Sequence, residues 1–300
     1  MRIEVAICTW NRSPLLQQTL SRLERLRADD VDWQLLVVDN NSTDATADVL
    51  RSFARRLPLR SVFEPNPGLS NARNRAVSEV RGEYLVWTDD DVLVDEGWLE
   101  AYARAFRRWP DAAFFGGPVE PWFEDTPPTW LVDHWPTVAV AYAVRQFGDE
   151  PFPFDTSRVP YGANCAFKAE VQRAHTYDPS LGRSPDSHVS GEEADLMRRL
   201  LAAGHTGWWV PDARVQHFIP RQRQSVRYLR QIFGGQGELS GRGFAAGNGP
   251  RLFGRPRWLM RRALAAECRY RWHRATASPD VWLPDLVDAA IAWGQVKGAP

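Results

Sequence analysis

Lysine is almost missing from this chain of 300 residues: Lys168 and Lys297 are its only two, so nearly all of the positive charge is arginine. A GC-rich genome produces that bias as readily as phosphate recognition does, so by itself it selects no ligand. Cysteine is scarce. Cys8, Cys165 and Cys268 lie far apart and are odd in number, which argues against a disulfide framework or a zinc knuckle and suits a reducing compartment. Net charge is absent as well, because 37 basic and 37 acidic residues cancel, and whole-molecule electrostatics therefore recruits no polyanion. No segment approaches the ~18 apolar residues that a membrane span needs, and the opening MRIEVAICTWNR is too short an apolar run for a signal peptide. The expectation is a cytoplasmic protein. Internal repeats and low-complexity tracts are missing too, and what remains is a 44% hydrophobic composition, ample for one large domain or two small ones.

The order of patterns predicts an α/β fold. Residues 2–9 and 34–40 read as strands, and Leu16, Leu20, Leu23 and Leu26 recur at helical spacing between them. Strand, helix, strand implies a parallel pair joined by a right-handed crossover. After Asp39 the stretch NNSTDATADVLRSFARRL offers Ser42 or Thr43 as a helix cap and sets Ala47, Leu50, Phe53 and Leu57 on one face. A third strand is predicted at 60–63, a short helix at 71–80 and a fourth strand at 84–88. Ligands of open α/β sheets settle beyond the carboxyl ends of the strands. Polar residues gather at three such ends here: Thr9, Asn11 and Arg12 after the first strand, Asp39 after the second, and Asp89, Asp90 and Asp91 after the fourth.

Beyond Phe115 the character changes. The prolines and tryptophans of GGPVEPWFEDTPPTWLVDHWP predict packed loops, YGANCAF (161–167) a strand, LGRSPDSHVSG (181–191) a mobile stretch, and 191–204 a helix stopped by Gly204. Residues 221–274 hold thirteen arginines against Glu238 and Glu267 alone, interleaved with aromatics. They predict a separate, mostly helical extension at 221–300, following a domain at 1–220 with halves 1–115 and 116–220.

Three adjacent carboxylates repel one another, and for a lone acidic run a solvated loop is the ordinary reading. A hard divalent cation, Mn²⁺ or Mg²⁺, removes the repulsion and commonly shares its coordination with a substrate phosphate. The position of the triplet after YLVW, among other polar strand ends, favours a site for a nucleotide diphosphate.

ICTWNR (7–12), VVDNNSTDAT (37–46), NPGLSNARNRAV (66–77), TDDDV (88–92) and the GEEADLMRRL helix, in that order, resemble glycosyltransferase family 2 over roughly residues 1–220. The resemblance implies a GT-A fold, a Rossmann-like mixed sheet flanked by helices, with residues 1–115 binding the nucleotide sugar and 116–220 the acceptor. Thr9, Asn11 and Arg12 would then line the donor pocket, and Asp39 would accept a hydrogen bond from the base. Arg73 would neutralise the diphosphate or contact the base. In the aspartate-any-aspartate pattern Asp91 would be the direct metal ligand, with Asp89 and Asp90 on the donor sugar or ribose and Asp89 also near the metal. Capping of the next helix by Asp39 and a plain surface role for Arg73 are the competing readings.

The catalytic base by resemblance is the second acid of a pair at a helix start, here Glu193 where the family has aspartate, one methylene shorter; it would take the acceptor hydroxyl's proton. Ser190 to Glu193 also fits a capping box, and Glu192, on the acceptor side, and Asp195 are the substitutes. His217 would complete the metal or diphosphate site after a strand, and Arg221 and Arg223 would clamp the departing diphosphate. Asn164 would line the acceptor side or simply enter a strand. Trp122, Trp130 and Trp135 would stack on a sugar or pack in loops.

The implied reaction is a metal-dependent, inverting transfer from a nucleotide-diphosphate sugar, UDP first and GDP or dTDP next, to a hydroxyl on a glycan or lipid-linked acceptor. No nucleic acid is implied as a partner. Residues 221–274 would form a solvated surface, grip a phosphate, or touch the inner face of the cell membrane. Two other readings compete. A sugar-phosphate nucleotidyltransferase would open with a glycine-rich loop, which ICTWNRSP lacks, and a silent nucleotide-sugar or glycan-binding protein would tolerate loss of Glu193.

Overall fold

The apolar opening of the chain forms β1 (Arg2–Thr9), followed by α1 (Ser13–Leu23), β2 (Asp32–Asp39), α2 (Thr46–Phe53), β3 (Leu59–Phe63) and α3 (Leu69–Glu79). Next come β4 (Tyr84–Thr88), β5 (Val92–Val94), α4 (Trp98–Arg108), β6 (Phe114–Gly116), β7 (Val119–Phe123) and two single-turn helices, α5 (Thr129–Val132) and α6 (Trp135–Val138). Then follow β8 (Asn164–Lys168), α7 (Ala169–Ala174), α8 (Glu192–Ala202), β9 (Gly207–Trp209) and β10 (Val215–Ile219). The computed structural model describes residues 1–179, 191–244 and 250–300. It contains two compact units, one of residues 1–122 with 143–218 and one of 123–142 with 219–300.

In the first unit seven strands make one mixed sheet in the order β3-β2-β1-β4-β8-β6-β9. β1 runs parallel to both β2 and β4, and β8 runs antiparallel to β4 and β6. Continuous apolar runs suit these central strands because both faces are covered. Ile3, Val5 and Ile7 pack with Leu16 and Leu20 of α1 and with Trp98 and Tyr102 of α4. Ala6, Leu36, Val38 and Leu85 pack on the other face with Ala72 and Ala76 of α3 and Leu196 and Leu200 of α8. The chain builds outward from β1 to β3 and then returns to the far side of β1 at β4. That reversal opens a crevice between the carboxyl ends of β1 and β4, and the aspartate triplet follows it directly. A small sheet, β5-β10-β7, continues from there, with His217 of β10 opposite Val92 of β5. His217 thus lies within a strand and not after one.

Two local expectations change. α2 begins at Thr46 instead of at Ser42 or Thr43, and Thr46, not Ala47, turns inward with Leu50 and Phe53, because residues 42–44 are held in a loop by Asn11 and Asp39. The stretch predicted to be mobile lies, over 181–190, outside the described residues.

The second unit contains α9 (Val226–Arg242), a hairpin of β11 (Arg251–Leu252) and β12 (Arg255–Pro256), α10 (Arg257–Thr276) and α11 (Pro279–Gly298). α9 and α11 meet backbone to backbone at glycines: a Cβ on Gly294 would overlap the Gly234 carbonyl oxygen, and one on Gly298 that of Glu238. Residues 123–142 belong with these helices instead of with the chain before residue 220, since Trp130 packs on Trp282 and Tyr142 on Tyr228. No helix among the described residues is long and apolar enough to cross a membrane.

Candidate functional site

Side chains from the two strand ends bridge the crevice between β1 and β4. Thr9 Oγ1 donates to Asp90 Oδ2 at 2.8 Å. Arg12 Nη1 donates to Asp90 Oδ1 at 3.0 Å and to Asp91 Oδ2 at 2.8 Å. Both oxygens of Asp90 therefore accept hydrogen bonds from Thr9 and Arg12, and the residue braces the rim. Burial raises its carboxyl, and the charge of Asp91 adds to that against Arg12 and Thr9, leaving it at about 7.

The loops after β1 and β2 are tied to each other. Asn11 stands at φ 53°, a left-handed conformation that asparagine tolerates. Its Oδ1 accepts the backbone N–H of Thr43 at 2.7 Å and of Asp44 at 3.3 Å. Asp39 Oδ1 accepts the N–H of Ser42 at 2.9 Å, so the local task of Asp39 is to close this turn and not to cap α2. Asp44 accepts the backbone N–H of both Ser13 and Thr46 and so secures the first turns of α1 and α2. Its slight burial acts upward, but the Thr46 hydroxyl, which also donates to Asp44 Oδ1, and these backbone donors win and hold the carboxyl down to about 2.

Arg73 is 3% exposed, far from an ordinary surface arginine. Its Nη1 lies 2.7 Å from Glu192 Oε1 and 3.5 Å from Glu193 Oε2, while Nη2 lies 3.8 Å from Asp89 Oδ1. The guanidinium also sits 5.4 Å from the ring centre of Tyr177 and 5.8 Å from that of Trp87, within cation–π range. Gly162 makes room for it: a Cβ there would collide with the guanidinium, and its N–H donates to Glu193 Oε1 at 3.3 Å. Burial raises the Glu192 carboxyl in spite of Arg73. For Glu193 burial acts the same way, but Arg73 and the backbone N–H donors outweigh it and hold the carboxyl below its usual range. α8 starts with Gly191 as N-cap at φ 117°. Ser190, the cap named in the capping-box reading, lies outside the described residues, and Glu193 gives its carboxylate to Arg73 and Gly162.

Strand pairing brings His217 to the triplet. Phe218 N–H donates to the Asp91 carbonyl at 2.9 Å, and His217 Nε2 lies 3.5 Å from Asp91 Oδ1. Among the described residues no group of three or more His, Cys, Asp or Glu side chains converges as a complete metal cage.

Other expected site residues have different surroundings. Asn164 is 0% exposed; its Oδ1 accepts from Trp98 Nε1 and Tyr102 Oη, and its Nδ2 donates to the carbonyls of Pro118 and Ala213. With every polar atom committed inside the fold, it cannot line an acceptor site. Arg221 and Arg223 belong to the second unit. Arg221 donates its backbone N–H to Glu124 and is 82% exposed, and Arg223 reaches over the ring of Tyr228. Trp122 packs on Phe218 and Trp135 stacks on Tyr142, which are packing contacts. The sequence reading passed over Gly162, Trp87, Tyr177 and Asp44. The glycine of YGAN, two positions before Asn164, was the one available signal for Gly162.

The family described as "Glycosyl transferase family 2" matches residues 4–174. The succinoglycan biosynthesis protein ExoM of Rhizobium meliloti is 25% identical over 249 residues, which cover 81% of this chain and 75% of that protein. Validoxylamine A glucosyltransferase of Streptomyces hygroscopicus subsp. limoneus is 31% identical over 244 residues, 77% of this chain and 51% of that protein, so the chain spans about half of that relative. Among solved structures, the mannosyltransferase PcManGT from Pyrobaculum calidifontis, in complex with GDP-Man and Mn²⁺, matches with a TM-score of 0.53 at 18% identity, over 98% of this chain and 72% of that one. TarS 1-349 of S. aureus matches with a TM-score of 0.56 at 14% identity, over 99% and 90%. At these identities the structural matches speak for the fold alone.

Proposed function

Because the chain belongs to glycosyltransferase family 2 and has the GT-A fold, we propose that it moves one sugar from a nucleotide-diphosphate donor to an acceptor hydroxyl with inversion at the anomeric carbon. Family membership makes it a glycosyltransferase and displaces the nucleotidyltransferase and silent-binder readings. The observation that carries the proposal is the single guanidinium of Arg73, which lies 3.8 Å from Asp89 and 3.5 Å from Glu193 and so joins the aspartate triplet and the candidate base in one site.

In this reading the acceptor oxygen attacks the anomeric carbon while the bond from that carbon to the diphosphate oxygen breaks and its electron pair leaves on the diphosphate. The acceptor's proton passes to the Glu193 carboxylate, which Arg73 and Gly162 keep ionised and aimed. Asn11, Asp39 and Asp44 hold the loops against which the base and ribose would rest. Thr9, Arg12 and Asp90 fix the rim.

Asp91, with His217 Nε2 3.5 Å from its Oδ1, and Asp89 are the residues that would hold a hard cation, from one side and without a complete protein cage among the described residues. One or two protein carboxylates completed by substrate phosphates are the usual arrangement for Mg²⁺ and a common one for Mn²⁺. When bound, such an ion would neutralise charge on the departing diphosphate. The solved complexes of PcManGT with GDP-Man and Mn²⁺ and of TarS with UDP support this donor class. A UDP-sugar is the first candidate and a GDP- or dTDP-sugar the next.

The test is thermal stabilisation by UDP, GDP, dTDP and CDP, each with and without Mn²⁺. One nucleotide should raise the melting temperature in a metal-dependent way, and Asp91→Asn should abolish the metal-dependent part. With the donor known, Glu193→Gln should lower kcat by ~10²–10⁴-fold while the nucleotide shift persists. No shift with any nucleotide would sink the donor reading. Retained kcat in Glu193→Gln would move the base to Glu192 or Asp195, and retention of the donor's anomeric configuration in the product, read by NMR, would exclude inversion.

A further inference from the structure

α10 presents two different faces. Leu259, Ala263, Ala266 and Tyr270 are buried within the second unit, and Arg262 and Arg269 along the flank pair with Asp288 and Asp285 of α11. On the opposite side Trp258, Leu264 and Trp272 are 56%, 48% and 68% exposed, with Cys268 exposed among them. Their spacing gathers them on one side of the helix. Arg257 and Arg261 stand on that same side, and neither has a carboxylate at ion-pair distance among the described residues. The sequence explains why: no acidic residue occurs between Glu238 and Glu267.

The hairpin leading into α10 repeats the combination. Its two-residue turn, Phe253-Gly254, has both residues in the left-handed region, at φ 50° and 76°. Turns of this kind favour Asn-Gly, and a bulky aromatic there is strained. Phe253 is nonetheless 89% exposed at the tip, flanked by Leu252, Arg251 and Arg255. Water offers nothing in return for holding an aromatic ring out on a strained turn.

We propose that this surface, from the 251–256 hairpin along the outward side of α10, lies on an anionic lipid surface. Phe253, Trp258, Leu264 and Trp272 enter the interface and Arg257 and Arg261 meet the phosphate headgroups. Interfacial helices combine these features: apolar and aromatic groups on one side, with cations beside them and no neutralising acids. A second copy of the chain fits worse, because among the described residues this face offers no carboxylate to meet Arg257 and Arg261 across a contact: no acid lies between Glu238 and Glu267, and Glu267 is paired with Arg230 and Arg271. A nucleic acid fits worse too, since exposed Leu252 and Leu264 contribute to neither base stacking nor phosphate binding. The inference rests on the helical unit alone and is independent of the transfer reaction.

The test is flotation of the full chain with vesicles of phosphatidylglycerol and phosphatidylcholine in equal parts, against vesicles of phosphatidylcholine alone. The protein should float with the anionic vesicles and be released as salt is raised. Arg257→Gln with Arg261→Gln should weaken partitioning by about 25-fold, roughly fivefold for each charge. Phe253→Ser with Trp258→Ser and Trp272→Ser should weaken it further, with melting temperature and nucleotide binding unchanged. Any of four results would overturn the proposal: no flotation of the parent chain, equal flotation with neutral vesicles, variants that float like the parent, or variants that only dissolve a dimer or only release a single-stranded oligonucleotide.

Discussion

Arg73 in the α/β unit holds a glutamate pair, with Asp89 farther off at 3.8 Å, and Arg269 in the helical unit holds an aspartate pair; by distance Arg269 has the better bonds. It reaches Asp285 and Asp288 at 2.6 Å each, whereas Arg73 lies 2.7 Å from Glu192 and 3.5 Å from Glu193. Environment reverses the ranking. The Arg73 side chain is 4% exposed and its partners 2% and 16%, while Arg269 is 46% exposed. Near water a Coulomb attraction is screened and the ordering of long side chains offsets much of it; in the interior each charge depends on its partner. Arginine is about as dense in the helical unit as in the α/β unit, yet the interior of the helical unit is organised by glycine contacts between α9 and α11 instead of by charge.

The largest effect expected from this contrast belongs to Arg73→Ala, which leaves Glu192 and Glu193 without their shared cation. It should cost ~3–5 kcal/mol in denaturant unfolding. Addition of Glu192→Gln to the same chain should recover part of that loss. A cost below about 1 kcal/mol would break the comparison, since it would place Arg73 in the surface class. Gly294→Ala comes next. Alanine favours a helix by about 1 kcal/mol over glycine, yet its methyl overlaps the Gly234 carbonyl oxygen, so the net result should be a loss of ~1–3 kcal/mol. A stabilised variant would show that α9 and α11 separate freely.

Acid should act on the helical unit with a definite sign. Burial raises the Glu267 carboxyl, but hydrogen bonds from Arg230 and Arg271 outweigh it and hold it below its ordinary 4.5. Asp285 is likewise held below 3.8, with His273 and Arg269 overcoming its burial. Folded values below unfolded ones mean that the stability they contribute is complete above the unfolded values and lost as pH falls through the folded ones. Stability followed by helix circular dichroism should therefore be flat down to pH about 4.5 on this account and fall below it, and Glu267→Gln should shallow the fall. The smallest effect is Arg269→Gln, ~0.2–1 kcal/mol, shrinking as salt is added. A larger loss, insensitive to salt, would erase the distinction between the two arginines.

Legibility in the sequence followed the range of the interaction. The strands at 2–9, 34–40 and 84–88 and the helix after Gly191 were readable because apolar runs and helical spacing express neighbours a few residues apart. The rim was readable for a related reason: parallel strands place their carboxyl ends together, so Thr9, Asp39 and the aspartate triplet could be gathered without coordinates. Asn164 was misplaced because a buried polar residue and a site residue look alike in one dimension; only its contacts with Trp98, Tyr102, Pro118 and Ala213 distinguish them. The start of α2 was misjudged because Asn11 of a different loop takes the backbone groups of residues 43 and 44.

By itself the sequence determined the α/β order of elements, the polar strand ends and the arginine-rich helical tail, all consequences of local patterning. Tertiary structure alone decided that Arg73 bridges Asp89 to a glutamate pair 119 and 120 positions away along the chain, that Gly162 leaves room for it, and that β5–β10 pairing carries His217 to Asp91. Those contacts depend on strand register and on the packing of distant elements, which no window of neighbouring residues encodes.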